Sequence, residues 1–138
     1  MKQQVLVIDG SKAIRFLLET ILGKKYRVIT VAGGCAAMQW LSRGNQPDII
    51  ITDPQLQDMQ NWELIEFLTS SGMYGKIPVI VLSSLDKEET KKKCGELKLI
   101  EHFVKPFNPL ELQNAVEALL TYTAGHIHFN ESRLQKVG

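Results

Sequence analysis

The sequence has few of the features that mark membrane, secreted or nucleic-acid-binding proteins. Its 138 residues include only two cysteines, Cys35 and Cys94, in no short-spaced motif, so neither a disulfide framework nor a cysteine metal site is expected. No apolar run approaches the roughly 18 residues needed to cross a bilayer, and residues 1–4 lack the apolar centre of a signal peptide. A formal net charge of +1 gives no electrostatic basis for binding nucleic acid. These absences favour a cytoplasmic protein.

Four short apolar runs are present, and each stops at a polar residue. The runs at 5–8, 49–51, 79–82 and 103–104 lead to Asp9, to Asp53 after Thr52, to Ser83 and to Lys105. Short runs rich in Val and Ile are typical of strands buried on both faces of a parallel sheet. Because the carboxyl ends of parallel strands share one edge, these side chains are expected to line one pocket. Two acids, a hydroxyl and an amine suit a phosphoryl group beside a divalent cation.

Strands and helices alternate along the chain. Strands are predicted at about 4–9, 26–31, 48–53, 78–83 and 99–104, and each is followed by an amphipathic or well-capped helical segment. Five such pairs predict an α/β fold with a doubly wound, five-stranded parallel sheet and helices on both faces. Residues 123–138 have no such pattern, so we expect one domain over residues 1–122, a C-terminal tail over 123–138 and no output domain.

Four segments, taken in order, resemble the receiver domains of bacterial two-component response regulators. They are Val5–Asp9, Pro47–Asp53, Pro78–Ser84 and Val104–Phe107. The resemblance implies the flavodoxin-like sheet order 2-1-3-4-5. It also implies a regulatory domain, not an enzyme, that receives a phosphoryl group from a histidine kinase or a phosphotransfer protein. The signal would then reach a downstream protein through the face formed by helix 4, strand 5 and helix 5, and a homodimer through that face stays open.

The resemblance also assigns roles at the predicted pocket. Asp53 takes the place of the phosphoacceptor, where a carboxylate anion can attack phosphorus and form an acyl phosphate. Ser83 and Lys105 take the places of the two residues that contact the phosphoryl group. Ser83 is also the implied start of the switch, together with His102, which replaces the usual Tyr or Phe.

The implied cofactor is Mg²⁺, which prefers oxygen ligands. Asp9, Asp53 and the backbone carbonyl of Gln55 are its implied ligands. Gly10 departs from the family pattern, because receivers carry a second acid there, and this makes the acidic site atypical and its metal binding weaker. Pro54 is a second departure, since it removes a backbone donor beside the acceptor.

Other functions compete with that of a phosphoacceptor. A receiver-like interaction module that works without phosphorylation stays open, because Gly10, Pro54 and His102 all favour it. A phosphatase of the haloacid-dehalogenase type is disfavoured, because Ser11 stands where that family requires a second Asp. Dinucleotide binding is disfavoured as well, since the turn after the first strand lacks a glycine-rich phosphate cradle.

Overall fold

The structure is a computed structural model, which describes residues 2–121. The predicted tail over residues 123–138 lies outside this range. Five strands form one parallel sheet in the order β2-β1-β3-β4-β5, so the predicted fold and sheet order are confirmed. The strands are β1 (Gln4–Ile8), β2 (Arg27–Val31), β3 (Ile49–Thr52), β4 (Val79–Ser83) and β5 (Glu101–Val104).

A helix follows each strand and begins close to where the sequence predicts. Four of them are α1 (Lys12–Leu22), α2 (Gly34–Ser42), α3 (Glu63–Ser70) and α4 (Lys87–Glu96), and a fifth, α5, covers residues 109–121. The side chain of Asp86 caps α4 by accepting from the N–H groups of Glu88 and Glu89 at 3.1 Å. Asn108 likewise accepts from the N–H of Leu110 at 2.9 Å. Both predicted caps are therefore present.

The start of the last strand differs from its prediction. Strand β5 begins at residue 101, whereas the apolar pattern predicts a start near 99. Lys98 adopts a positive φ of 58°, and the N–H of Leu99 donates to the carbonyl of Cys94 at 2.9 Å. The end of α4 therefore uses the residues that the apolar pattern assigns to the strand.

The sheet carries an apolar core on each face, as the alternation of side chains along a strand requires. On one face, strand residues such as Leu6, Ile8 and Ile50 pack against α2, α3 and Cys94 of α4. On the other face, Val5, Val7, Ile49, Ile51, Ile80 and Leu82 pack against α1 and α5. Within residues 2–121, none of the helices combines the length and the apolar character that a membrane span needs.

Candidate functional site

One open cleft lies at the carboxyl edge of the sheet, where four strands end. Asp9 follows β1, Asp53 follows β3, Ser84 follows β4 and Lys105 follows β5, and all four line the cleft. The wall is completed by Gly10 and Ser11 and by residues of the loop between β3 and α3, namely Gln55, Leu56, Gln57 and Asn61. The structure thus brings together two acids and the amine that the sequence assigns to one pocket.

Lys105 bridges the two acids. Its Nζ donates to Asp9 Oδ2 at 2.7 Å and to Asp53 Oδ2 at 2.9 Å, and the two aspartates are only 2% and 3% exposed. Burial lowers the pKa of the Lys105 ammonium, but the hydrogen bonds to both carboxylates outweigh this effect and leave the pKa above its ordinary value. Lys105 is therefore a fixed positive charge beside both acids at neutral pH.

The Asp53 carboxylate is held by donors on both of its oxygens. Oδ1 accepts from the N–H of Gln55 at 2.7 Å. Oδ2 accepts from Lys105 and also from the hydroxyl of Ser84 at 3.0 Å. These contacts fix the orientation of the carboxylate toward the cleft.

Ser84, and not Ser83, supplies the hydroxyl in the cleft. The Ser83 hydroxyl lies 2.7 Å from the hydroxyl of Thr90 in α4 and accepts from the N–H of Leu85 at 2.9 Å. Ser83 is therefore not among the residues that line the cleft, and its role as a phosphoryl contact stays a prediction. The reason is the two-residue period of a strand, because Val81 packs on the face covered by α2, α3 and α4 and Ser83 follows it by two. The same period, applied to the sequence, would have indicated Ser84.

Similarity to known proteins identifies the family of this site. The sequence model of the response regulator receiver domain matches residues 5–117. The chain belongs to the response regulator receiver domain family. The receiver is 31% identical to the two-component response regulator ORR6 of Oryza sativa subsp. japonica, over 80% of this chain and 67% of the relative. It is 26% identical to sporulation initiation phosphotransferase F of Bacillus subtilis (strain 168), over 87% and 95%.

A solved structure has the same fold. The receiver domain of the Francisella response regulator 1452 superposes with a TM-score of 0.77 at 27% identity, over 88% of this chain and 98% of that one. The receiver also spans 47% and 8% of the lengths of two longer relatives. The family match and these relatives make the chain a signalling receiver of the two-component phosphorelay type. Such receivers are regulatory domains that interact with histidine kinases or phosphotransfer proteins. Receiver domains generally bind Mg²⁺ at the acidic site.

Two carboxylates of this receiver offer the kind of donor that Mg²⁺ prefers. Asp9 and Asp53 contact the same ammonium, so their carboxylates are close enough to share one cation, and both offer the hard oxygens that Mg²⁺ prefers. Gly10 contributes no ligand side chain. Among residues 2–121, no group of three or more His, Cys, Asp or Glu side chains is arranged to hold a metal.

His102 lies apart from the acids. It is a half-buried residue of β5 that pairs with Val81. It lines a shallow surface depression with Lys87 at the start of α4 and with Phe107 and Glu111 on the side of α5. The structure thus places His102 on the face formed by α4, β5 and α5, and its part in a switch stays a prediction.

Proposed function

We propose that this receiver accepts a phosphoryl group on Asp53 from a histidine kinase or a phosphotransfer protein. The observation that carries the proposal is the Lys105 ammonium, which lies 2.9 Å from Asp53 and 2.7 Å from Asp9. A nearly buried carboxylate at the mouth of an open cleft, oriented by three donors, is suited to attack phosphorus. The role that we propose is regulatory and is not that of an enzyme.

The residues of the cleft divide the chemistry between them. An oxygen of Asp53 forms a bond to phosphorus while the bond between phosphorus and the donor's leaving group breaks. Lys105 offsets the added negative charge, and two unit charges about 4 Å apart at an effective dielectric constant near 20 interact by roughly 4 kcal/mol. The hydroxyl of Ser84, now bonded to Asp53, is a donor already in place beside the acceptor.

Mg²⁺ is the proposed cofactor, held by Asp9, Asp53 and the backbone carbonyl of Gln55. When bound, it supplies positive charge that a phosphoryl group and two carboxylates require in one pocket. Because Gly10 contributes no third carboxylate, we propose that the ion binds more weakly here than at a site with three acids.

A mass measurement tests the acceptor directly. The full chain is incubated with acetyl phosphate and Mg²⁺, and intact mass spectrometry is expected to detect the gain of one phosphoryl group. Asp53→Asn is the blank and must not gain it. Asp48→Asn is the matched control, because Asp48 caps the N–H of Gln4 at 2.7 Å and does not line the cleft. Labelling that persists in Asp53→Asn, or that is absent from the wild type, contradicts the proposal.

A receiver-like interaction module that needs no phosphorylation is the second candidate. The features that favour it are Gly10 in place of an acid, Pro54 directly after Asp53, and His102 in place of the usual Tyr or Phe. The same mass experiment separates the two functions, because a module that works without phosphorylation is not expected to gain a phosphoryl group on Asp53.

The proposed output is the face formed by α4, β5 and α5. Phosphorylation would change this face and so its affinity for a downstream protein, and a second copy of the receiver is the alternative occupant. Size-exclusion chromatography of the labelled receiver at several concentrations tests for the second copy, since pairing between copies increases with receiver concentration and needs no other protein. We further propose that the receiver works in the cytoplasm.

A further inference from the structure

Helix α2 differs from the other helices because it carries no charged residue. Its nine residues, Gly34–Ser42, include neither an acid nor a base, whereas α4 carries four lysines and three glutamates among its ten residues. A helix on the surface of a soluble domain usually places charged side chains on its outer face. Depletion of charge, together with methionine and aromatic side chains, is typical of the centre of a protein interface. The outer face of α2 is therefore a candidate contact surface.

An open apolar groove lies between α2 and α3. It has a volume of about 180 Å³ and is lined by Met38 of α2, by Met59 of the loop before α3, and by Glu63, Leu64 and Phe67 of α3. Phe67 is 46% exposed. Methionine side chains are flexible and adapt to different partners, which is why they recur on binding surfaces. The groove can therefore accept an apolar side chain from outside.

The rim of the groove is acidic where α2 begins. Glu63 lines the groove, and within residues 2–121 its carboxylate takes part in no ion pair. Asp58 lies at the same end, since it accepts from the N–H groups of Gly34 and Cys35. The pKa of the Cys35 thiol is raised, first by a hydrogen bond to Asp58 and also by the charges of Asp58 and Glu63. Both carboxylates therefore lie near this thiol, and a cation on a partner would meet complementary charge beside the groove.

We propose that the groove between α2 and α3 is a docking site for a helix of a partner protein, which inserts an apolar side chain into the groove and places a Lys or Arg beside Glu63. Binding of an amphipathic helix in an apolar groove is a common way to recognise a protein segment. None of the residues that line the groove belongs to the face formed by α4, β5 and α5. The proposed docking does not depend on phosphorylation of Asp53.

A second copy of the receiver fits the groove less well than a basic helix does. In a two-fold pair the same patch meets itself, so the acidic rim of one copy would face the acidic rim of the other. Like charges brought together across an interface cost affinity, and α2 has no basic residue to compensate. Charge complementarity therefore favours a partner of different sequence.

Two synthetic peptides probe the groove. Each is about 15 residues long, which allows an isolated helix to form, and has leucine along one face; the other face carries lysine in one peptide and glutamate in the other. The full chain, with isotope-labelled methionine methyl groups, is titrated with each peptide and followed by NMR. The Leu-Lys peptide is expected to shift the signals of Met38 and Met59 and not that of Met73, which lies outside the groove. It is expected to bind at least about fivefold more tightly than the Leu-Glu peptide.

Variants locate the binding and separate its apolar part from its charged part. Phe67→Ser is expected to weaken binding of the Leu-Lys peptide by about fivefold or more. Leu110→Ser, which removes another exposed apolar side chain, is expected to bind like the wild type. Glu63→Gln is expected to weaken binding by about two- to fivefold, and by less at high salt, with Glu19→Gln on α1 as its control. If Phe67→Ser does not fold, Met38→Gln takes its place.

Three results of the titrations would overturn the inference. They are unchanged signals of Met38 and Met59, equal weakening by Phe67→Ser and Leu110→Ser, and equal affinity for the two peptides. Size-exclusion chromatography of the receiver without peptide tests for a second copy. An association that increases with concentration and is abolished by Phe67→Ser would assign the groove to that copy and would also overturn the inference. The proposed function rests on labelling of Asp53 and is not affected by any of these results.

Discussion

The acceptor side of the sheet and the α4 side are packed very differently. Strand β3 is buried at every position, and so is β1 from Val5 onward. By contrast, β5 is half-buried at every position, and α4 buries two of its ten residues. Regions with few buried apolar contacts open at lower free energy. Asp53 thus follows a strand on the more deeply buried side, while the side that we propose to respond is the one with fewer buried residues.

The loop between β3 and α3, which follows Asp53, is also braced by a neighbouring helix. The backbone N–H groups of Gly34 and Cys35, at the start of α2, donate to the Asp58 carboxylate at 3.0 and 2.9 Å. A side chain at Gly33 would come within 2.9 Å of both carboxylate oxygens, and one at Gly34 would collide with Met59 Sδ. Two adjacent glycines therefore let the loop after Asp53 seat on α2.

The largest expected effect compares core residues on the two sides. Ile50→Ala removes a fully buried side chain of β3 and is expected to lower the free energy of unfolding by about 2–5 kcal/mol. Cys94→Ala removes a single sulfur atom from α4 and is expected to cost about 1 kcal/mol. Urea unfolding of both variants at pH 7 measures the difference. Equal losses would mean that α4 is packed as firmly as the central strands.

Local features of the sequence predict much of this fold. Apolar runs mark the strands, and the caps at Asp86 and Asn108 mark two helix starts. Because parallel strands bring their carboxyl ends to one edge, Asp9, Asp53 and Lys105 can be grouped from the sequence alone. These inferences hold because each depends on neighbouring residues or on one rule of sheet topology.

Contacts that join distant segments cannot be predicted in the same way. The brace from Asp58 to α2 and the pairing of Ser83 with Thr90 depend on how a loop or a helix seats on its neighbour, and no spacing pattern encodes that. The presence of Ser84, and not Ser83, in the cleft has a different origin. Strand alternation extended to the residue after the apolar run does indicate Ser84. The roles of these residues in phosphoryl transfer stay predictions.

The second prediction removes the cation that joins the two acids. Lys105→Met leaves Asp9 and Asp53 facing each other, and we expect a loss of about 1–3 kcal/mol at pH 7. This is less than for a fully buried pair, since Lys105 is 18% exposed. Urea unfolding is expected to show the loss shrinking with added Mg²⁺, which offsets the repulsion between the two carboxylates. A loss that is independent of Mg²⁺ would contradict a charge-based role.

The stability of the wild type is also expected to fall at alkaline pH. Because the Lys105 pKa is raised in the folded protein, its stabilisation is complete below the ordinary lysine pKa and is lost as pH rises through the folded value. The stability difference between the wild type and Lys105→Met is therefore expected to narrow at high pH.

The third prediction restores an acid on the more deeply buried side. A Cβ atom at Gly10 would have the Ala32 carbonyl oxygen as its nearest neighbour, at 3.9 Å, so the backbone there leaves room for a side chain to begin. A third carboxylate is expected to tighten Mg²⁺ binding by about tenfold, or about 1.4 kcal/mol, as measured by calorimetry. Gly72→Asp is the control, because it adds an equal charge at an open position away from the cleft. Equal tightening in both variants would indicate a general charge effect.

The smallest expected effect concerns the Asp58 carboxylate, which accepts from the N–H groups of Gly34 and Cys35. Asp58→Ala is expected to cost about 1 kcal/mol, as for the loss of a helix cap, and Asp58→Asn, which keeps an acceptor oxygen, to cost less. Hydrogen bonds from the N–H groups of Cys35 and then Gly34 hold the Asp58 pKa below its ordinary value. The stabilisation is therefore present above the ordinary aspartate pKa of about 3.9 and is lost as pH falls through the folded value.

Urea unfolding from pH 7 down to pH 3 measures that loss, and the difference between the wild type and Asp58→Ala is expected to close at the acid end. Hydrogen exchange then sharpens the comparison between the two sides. Asp58→Ala should speed exchange in the first turn of α2 and leave α4 unchanged. Thr90→Val should speed exchange in α4 and leave the first turn of α2 unchanged. If either variant loosens both helices, the two sides open as one cooperative unit, and the contrast in packing does not translate into independent motion.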